Sequence, residues 1–315
     1  MIATELYNGQ GFGNQLWVYA VTRIIADSKK CGFSILSKNE FKGKEFMDLD
    51  FGEDLGEYNS NEGPCNILPN GIKNYYAEKK EIHSELNLDI SRTDYKLFDV
   101  PNETKIDGNL QSTKYLKNKR EDILKWFKIN HFKNYDFLDE NSCIIHLRCG
   151  DFYGQKDVFL PESYYRNAMS IIKKENEKVK FYCVTDQPNI ARRVFSDIEV
   201  IGSSIDGVED NLMASHHFGG SISTDFSIMS RVKYLIIPNS SFSWWAAYLN
   251  TESKMIIAPK YWSRFNISNG YWSTSDMIAD EFLYLDREGK IFTPIECEEE
   301  KQIFEEQNLN IFKTI

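Results

Sequence analysis

The stretch Cys143-Ile144-Ile145-His146-Leu147-Arg148-Cys149-Gly150-Asp151-Phe152 passes from an apolar run into a histidine, an arginine, a glycine and a carboxylate. A short apolar run with polar residues at its end reads as a buried parallel strand that delivers them to the carboxyl edge of an α/β sheet. That edge is where open α/β sheets bind ligands. Arg148 carries a permanent charge on a planar fork of donors that matches phosphate oxygens, so the chemistry it suggests is the handling of an anion. The plain alternative is an ion pair between Arg148 and Asp151, three residues on. Further polar groups follow other apolar runs, namely Thr185-Asp186 and Asn239-Ser240-Ser241. The serine pair precedes Phe242-Ser243-Trp244-Trp245-Ala246-Ala247-Tyr248, and a helix that starts there offers an anion its hydroxyls and peptide N–H groups.

The elements that would position these residues alternate as in a doubly wound domain. Apolar runs at 143–147, 181–184, 199–201, 234–237 and 255–258 read as strands, and the segments between them have helical spacing. Pro161 and Pro188 fit the first turns of helices. Asp225 opens a helical stretch to Arg231, where a carboxylate is either a cap or an acceptor for the N1–H and 2-amino group of a guanine.

The first half opens with a strand near residues 3–7, the turn Gly9-Gln10-Gly11-Phe12-Gly13, and a helix over Leu16–Ala26 that follows the amides of Asn14 and Gln15. A dinucleotide fingerprint would need a third glycine where Asn14 stands, and an acid after the next strand, where Ser37-Lys38 follow Phe33–Leu36. Residues 41–106 are polar and hard to read. Asp48-Leu49-Asp50 lacks a preceding apolar strand and is expected to be a turn, not a pair of metal ligands. Ile106–Ser112 reads as a short strand running into a loop, Tyr115–Phe127 as one amphipathic helix, and Cys297–Phe312 as one surface helix. His83 and His131 are expected to be structural, and His216-His217 has no third ligand at zinc spacing.

With 315 residues, 42% of them hydrophobic, the chain is long enough for two domains. A net charge of -10 argues against a nucleic-acid or anionic-membrane surface. The six cysteines have no CxxC spacing and are expected to be reduced thiols of a cytoplasmic protein, with the sequons at Asn102, Asn239 and Asn266 unused. No signal-peptide pattern opens the sequence, and no run reaches the roughly 18 apolar residues of a spanning helix.

Gln10–Leu16, Ile106–Tyr115, His146–Phe152, Thr185-Asp186 and Asn239–Ala247 occur in an order that resembles bacterial α-1,2-fucosyltransferases of glycosyltransferase family 11. The resemblance covers about residues 7–262, is poor over 40–105, and is most specific at the tryptophan motif. It implies an α/β GT-B architecture of two facing Rossmann-like domains: residues 1–138 on the acceptor side, 139–295 holding the GDP-sugar, and a helix in 296–315 returning to the N-terminal domain. The implied reaction is inverting transfer of L-fucose from GDP-fucose to a hydroxyl, O2 of a terminal galactose, of a surface glycan. Cofactor and essential metal are expected to be absent, and the partners are a GDP-sugar and a galactose-containing glycan. No nucleic acid and no integral membrane segment are expected, with peripheral association at the inner membrane left open.

Carried over by position, Arg148 meets the β-phosphate. The resemblance identifies no general base; Asp151 is a candidate catalytic residue only from its place three residues after Arg148, where a carboxylate either takes the proton or orients the arginine. His146 lies at the guanine or the phosphates, Asp225 reads guanine, and Ser240, Ser241 and Phe242 wrap the diphosphate. Asn14, with Gln15 beside it, reaches the donor from the N-terminal domain. Two positions depart from the family pattern: Cys149 replaces a second arginine and Gln10 a glycine. They leave open another GDP-sugar donor, or a nucleotide-sugar-binding protein without turnover.

Overall fold

The computed structural model describes residues 1–314 except 57–65, 85–88, 91, 131–137, 203–221, 268–269 and 273–275. Cys65, His131, His216 and His217 thus lie outside the described residues. The chain forms two compact units, one of Met1–Asn130, Thr274–Met277 and Asn308–Ile315, the other of His131–Ser273 and Ile278–Gln307.

In the first unit, strand β1 (Ile2–Glu5) leads into helix α1 (Phe12–Ser28), followed by β2 (Phe33–Leu36), β3 (Asn74–Ala77), β4 (Thr104–Asp107) and α2 (Arg120–Trp126). The four strands are parallel in the order β2-β1-β4-β3. All of β1 is buried, as a central parallel strand must be, and it carries a charge inward. Ala3 pairs with Lys105, and two residues further on Glu5 points to the same face, so that Glu5 Oε2 meets Lys105 Nζ at 2.7 Å in the interior.

Two sequence expectations in this unit need correction. The segment Tyr115–Phe127 is not one helix. A 3₁₀ turn over Thr113–Leu116 is separated from α2 by Asn118, whose φ of 61° breaks the helical path. Nor does one helix reach Phe312. The helix ends at Gln307, and Phe312–Thr314 form a strand antiparallel to Glu81–His83.

The second unit runs β5 (Ser142–Leu147), α3 (Glu162–Glu175), β6 (Lys180–Thr185), α4 (Pro188–Val194), β7 (Glu199–Ile201), α5 (Ile222–Met229), β8 (Tyr234–Ile236), α6 (Ser241–Leu249), β9 (Met255–Pro259), β10 (Leu283–Leu285), β11 (Ile291–Phe292) and α7 (Pro294–Gln307). The sheet order is β7-β6-β5-β8-β9-β10-β11, parallel except for β11. From β5 the chain builds outward through β6 and β7, then returns to β8 and builds the other way. The strand order therefore reverses between β5 and β8. Alternation along β5 sends Cys143, Ile145 and Leu147 into a core with Tyr164, Tyr165 and Ala168 of α3. His146 is left to the opposite face.

Among the described residues, no helix is long and apolar enough to cross a membrane. Cys31, Cys143, Cys149, Cys183 and Cys297 are free thiols.

Candidate active site

The carboxyl ends of β5 and β8 meet at the reversal of strand order, and most of the residues singled out above gather there. His146 is 4% exposed, with its ring centroid 5.9 Å from that of Phe242, which lies 5.5 Å from Phe226 of α5. Burial, and secondarily the nearby charge of Arg148, push the imidazole pKa down to about 3, so the ring is neutral. Its buried Nδ1 has no hydrogen-bond partner among the described residues. A buried polar atom in that state is costly unless something satisfies it.

Arg148 leaves the end of β5 held from two sides. Its Nη2 pairs with Asp151 Oδ1 at 2.7 Å, and its Nη1 pairs with Asp186 Oδ2. The two carboxylates differ: the Asp151 side chain is 67% exposed and that of Asp186 only 11%. Asp186 follows β6, the neighbour of β5, and its Oδ1 also accepts the Cys149 peptide N–H at 2.8 Å. Burial raises the Asp186 pKa, while Arg148 and that peptide group act to lower it. Gly150, at φ 33°, lets the turn close on this pair, because a Cβ there would stand 2.9 Å from Asp186 Oδ2 and 3.2 Å from Arg148 Cζ. The arginine is thus backed by a buried carboxylate and faced by an exposed one, which a phosphate can outcompete. The sequence pattern placed Asp186 at a strand end without a role. The missing information was that β6 lies beside β5.

Cys149 is fully buried and its thiol is pushed up to about 12, first by burial and then by the charge of Asp186. It supplies neither a second cation nor a thiolate.

Helix α6 begins at Ser241 with Ser240 as its N-cap, and no side-chain hydrogen bond caps it among the described residues. The Ser240 peptide N–H donates to Pro238 O at 2.8 Å, and Ser243 Oγ donates to Ser240 O at 3.2 Å. Phe242 lies in the first turn against His146, so the positive end of the helix dipole and the neutral imidazole share the crevice. Asp225 occupies the first turn of α5. It sits over the end of β7, where Gly202 has a φ of 102° and any Cβ would collide with Asp225 Oδ1. The loop after Gly150 is pinned by Asn239 Nδ2 donating to Val158 O at 3.1 Å and Asn266 Nδ2 donating to Phe159 O at 2.6 Å.

Asn14 and Gln15 belong to the first unit and are not equivalent. Consecutive helix residues point about 100° apart, so the two amides cannot serve one ligand face. Gln15 is fully buried: Nε2 donates to Glu40 O at 2.8 Å, and Oε1 accepts from Lys42 N at 2.9 Å. Both ends of its amide thus serve the fold. Asn14 Oδ1 accepts from Gln111 Nε2 at 2.8 Å, joining α1 to the loop after β4.

Residues 72–276, more than half of the chain, match the model of glycosyl transferase family 11. The chain belongs to glycosyl transferase family 11. It is similar to an alpha-1,2-colitosyltransferase of Escherichia coli, 28% identical over 39% of this chain and 41% of the relative. It is also similar to the O-antigen biosynthesis glycosyltransferase WbnK of Escherichia coli, 27% identical over 60% of this chain and 63% of the relative. The matched segments thus span less than two thirds of either relative. A NodZ alpha-1,6-fucosyltransferase co-crystallised with GDP is similar in structure at a TM-score of 0.44 and 14% identity, covering 92% of this chain and 97% of that one.

Proposed function

We propose that this family 11 chain is an inverting glycosyltransferase of GT-B architecture that moves L-fucose from GDP-fucose to O2 of a terminal galactose on a surface glycan, in the cytoplasm and without an essential metal. The observation that carries the reading is the crevice between β5 and β8, which gathers a braced arginine, a neutral histidine with an unsatisfied nitrogen, and a helix N-terminus. These groups suit a nucleoside diphosphate more than a neutral sugar. Glycosyl transfer depends on the leaving diphosphate, and fixed positive charge aimed at it is the expected large electrostatic contribution. Arg148 supplies that charge, α6 adds its dipole, and Asp225 receives the guanine edge.

A second reading keeps the reaction and changes the sugar. Cys149, uncharged where a second arginine is usual, favours another GDP-sugar as donor, and the similarity to an enzyme named for colitosyl transfer supports the same reading.

Calorimetric titration of the wild type and Arg148→Ala with GDP, GDP-fucose, GDP-mannose and UDP-galactose, without added metal, tests the donor. Guanine-selective binding that weakens sharply in the variant supports the reading. A wild type that binds no GDP overturns it.

A further inference from the structure

Two buried polar atoms at the reversal of strand order in the second unit are left over once the fold has made its bonds. One is Nδ1 of His146 on β5, and the other is Oδ1 of Asn239, just past the end of β8. Their residues are 4% and 3% exposed, and neither atom has a hydrogen-bond partner among the described residues. The two atoms do not carry the same information. A neutral imidazole nitrogen donates or accepts according to its tautomer, so His146 does not say what it awaits. Asn239 does. Its Nδ2 donates to Val158 O at 3.1 Å, and a carbonyl can only accept, so the amide is fixed with its NH2 on that side. The atom left over is an oxygen that can only accept.

Bracing the loop after Gly150 does not account for this oxygen, because that loop has other anchors. Asn266 Nδ2 donates to Lys156 O at 2.7 Å and to Phe159 O at 2.6 Å, and Arg264 Nη1 pairs with Asp157 Oδ2 at 3.1 Å. Asn266 does so as a half-buried side chain, whereas Asn239 takes an unpaired acceptor into the interior. Leaving a buried acceptor without a donor costs about 5- to 100-fold in an equilibrium constant, and a ligand that supplies the donor gains that factor.

The groups beside Asn239 restrict what that donor is. Asn239 directly precedes Ser240, the N-cap of α6, and Arg148 follows β5, the strand paired with β8. Both suit the oxygens of a diphosphate, which in a nucleotide sugar at neutral pH accept hydrogen bonds and do not donate them. Phosphate therefore leaves Asn239 Oδ1 unsatisfied. A hydroxyl next to the phosphate satisfies it, and a nucleotide sugar has hydroxyls on both sides of its diphosphate, on the ribose and on the sugar to be transferred.

We propose that Asn239 is a specificity-determining residue whose Oδ1 accepts a hydroxyl flanking the diphosphate of the bound nucleotide sugar. The inference rests on the donor reading above and concerns the second unit alone.

The test is calorimetric titration of the full-length wild type, Asn239→Ala and Asn239→Asp with two series of ligands. One is GDP, 2′-deoxy-GDP and 3′-deoxy-GDP; the other is GDP-fucose and its analogues lacking the sugar 2-, 3- or 4-hydroxyl. If another GDP-sugar binds more tightly than GDP-fucose, it and its deoxy analogues form the second series. The wild type is expected to bind one deoxy compound about 5- to 100-fold more weakly than its parent, and the series in which it falls assigns the hydroxyl to ribose or sugar. In Asn239→Ala that preference is expected to vanish, with parent and deoxy compound binding within twofold of each other. Asn239→Asp cannot donate to Val158 O but keeps an acceptor, so it is expected to retain the preference, at lower overall affinity because its charge repels the diphosphate. A brace alone would weaken every ligand alike in both variants. If Asn239→Ala does not fold, Asn239→Ser, whose oxygen sits one bond nearer the backbone, replaces it. A wild type indifferent to every hydroxyl, a preference that survives Asn239→Ala, or one lost as fully in Asn239→Asp as in Asn239→Ala overturns the role of Asn239 alone. A wild type that binds no GDP overturns the donor reading, and this inference with it.

Discussion

Arg148 offers one nitrogen to a buried carboxylate and another to an exposed one, and a diphosphate acts differently on the two. Asp151 can swing into solvent when a phosphate takes its place. Asp186 cannot, and it fixes where the guanidinium points. Arg148→Ala is therefore expected to reduce kcat about 10²- to 10³-fold, as loss of a preorganised donor does. Asp186→Asn keeps the arginine but loosens it, so its steady-state kcat should fall by less. His146 gives a second prediction at this scale. Its folded pKa of about 3 lies below the ordinary 6.5, so between these values the unfolded chain binds a proton that the folded chain refuses. Stability is full above pH 6.5 and declines as pH falls, by at most about 1.4 kcal/mol per pH unit from this group. Melting curves at pH 7 and pH 5 should show a smaller acid loss for His146→Gln than for the wild type. The residue types at the site were legible because strand ends announce them. The pairing of Arg148 with Asp151 was legible too, but its buried second partner was not, because Asp186 lies 38 positions away and only the strand order brings it close. Lys105 was hidden for a related reason: a lysine in a strand reads as surface until register places Glu5 beside it.

Strands β5 to β9 of the second unit stand where their apolar runs put them, because a strand buried on both faces is continuous in sequence, whereas the short β10 and β11 were not read. Asn74–Ala77 was missed since it is an edge strand, mostly exposed, with β4 as its sheet neighbour. The break at Asn118 escaped because periodicity continued through it on both sides. Where α5 meets β7, Gly202 yields a prediction about the element junction. Alanine there is strained by about 1–3 kcal/mol at a φ of 102° and drives the Asp225 carboxylate aside. On the reading that Asp225 receives the 2-amino group, the wild type prefers GDP to inosine diphosphate, which lacks it, by about 1.5–3 kcal/mol. Competition titration of Gly202→Ala should find that preference gone.

Composition does not reveal that the chain contributes to the first unit three times. Asp276 is bound there by the Thr93 N–H at 2.9 Å, the Thr93 hydroxyl at 2.7 Å and Lys114 Nζ at 3.1 Å. Residues 308–315 return to it, and Phe312–Thr314 pair with Glu81–His83. Removing residues 308–315 should lower Tm by roughly 4–8 °C for a loss of about 2 kcal/mol. Amide exchange at Glu81–His83 should quicken with it, which mass spectrometry can follow.

That late strand also has a consequence for synthesis on the ribosome. Residues 131–307 are made between the body of the first unit and the strand that completes its small sheet. At about 5–20 residues per second, the interval is roughly 10–35 s. Throughout it, the edge of Glu81–His83 lacks the partner it has in the finished fold, and an open edge invites pairing with another nascent chain. The second unit therefore emerges while the first still carries an adhesive border. Slow translation or crowded polysomes should be where this protein aggregates, even when its mature form is well behaved.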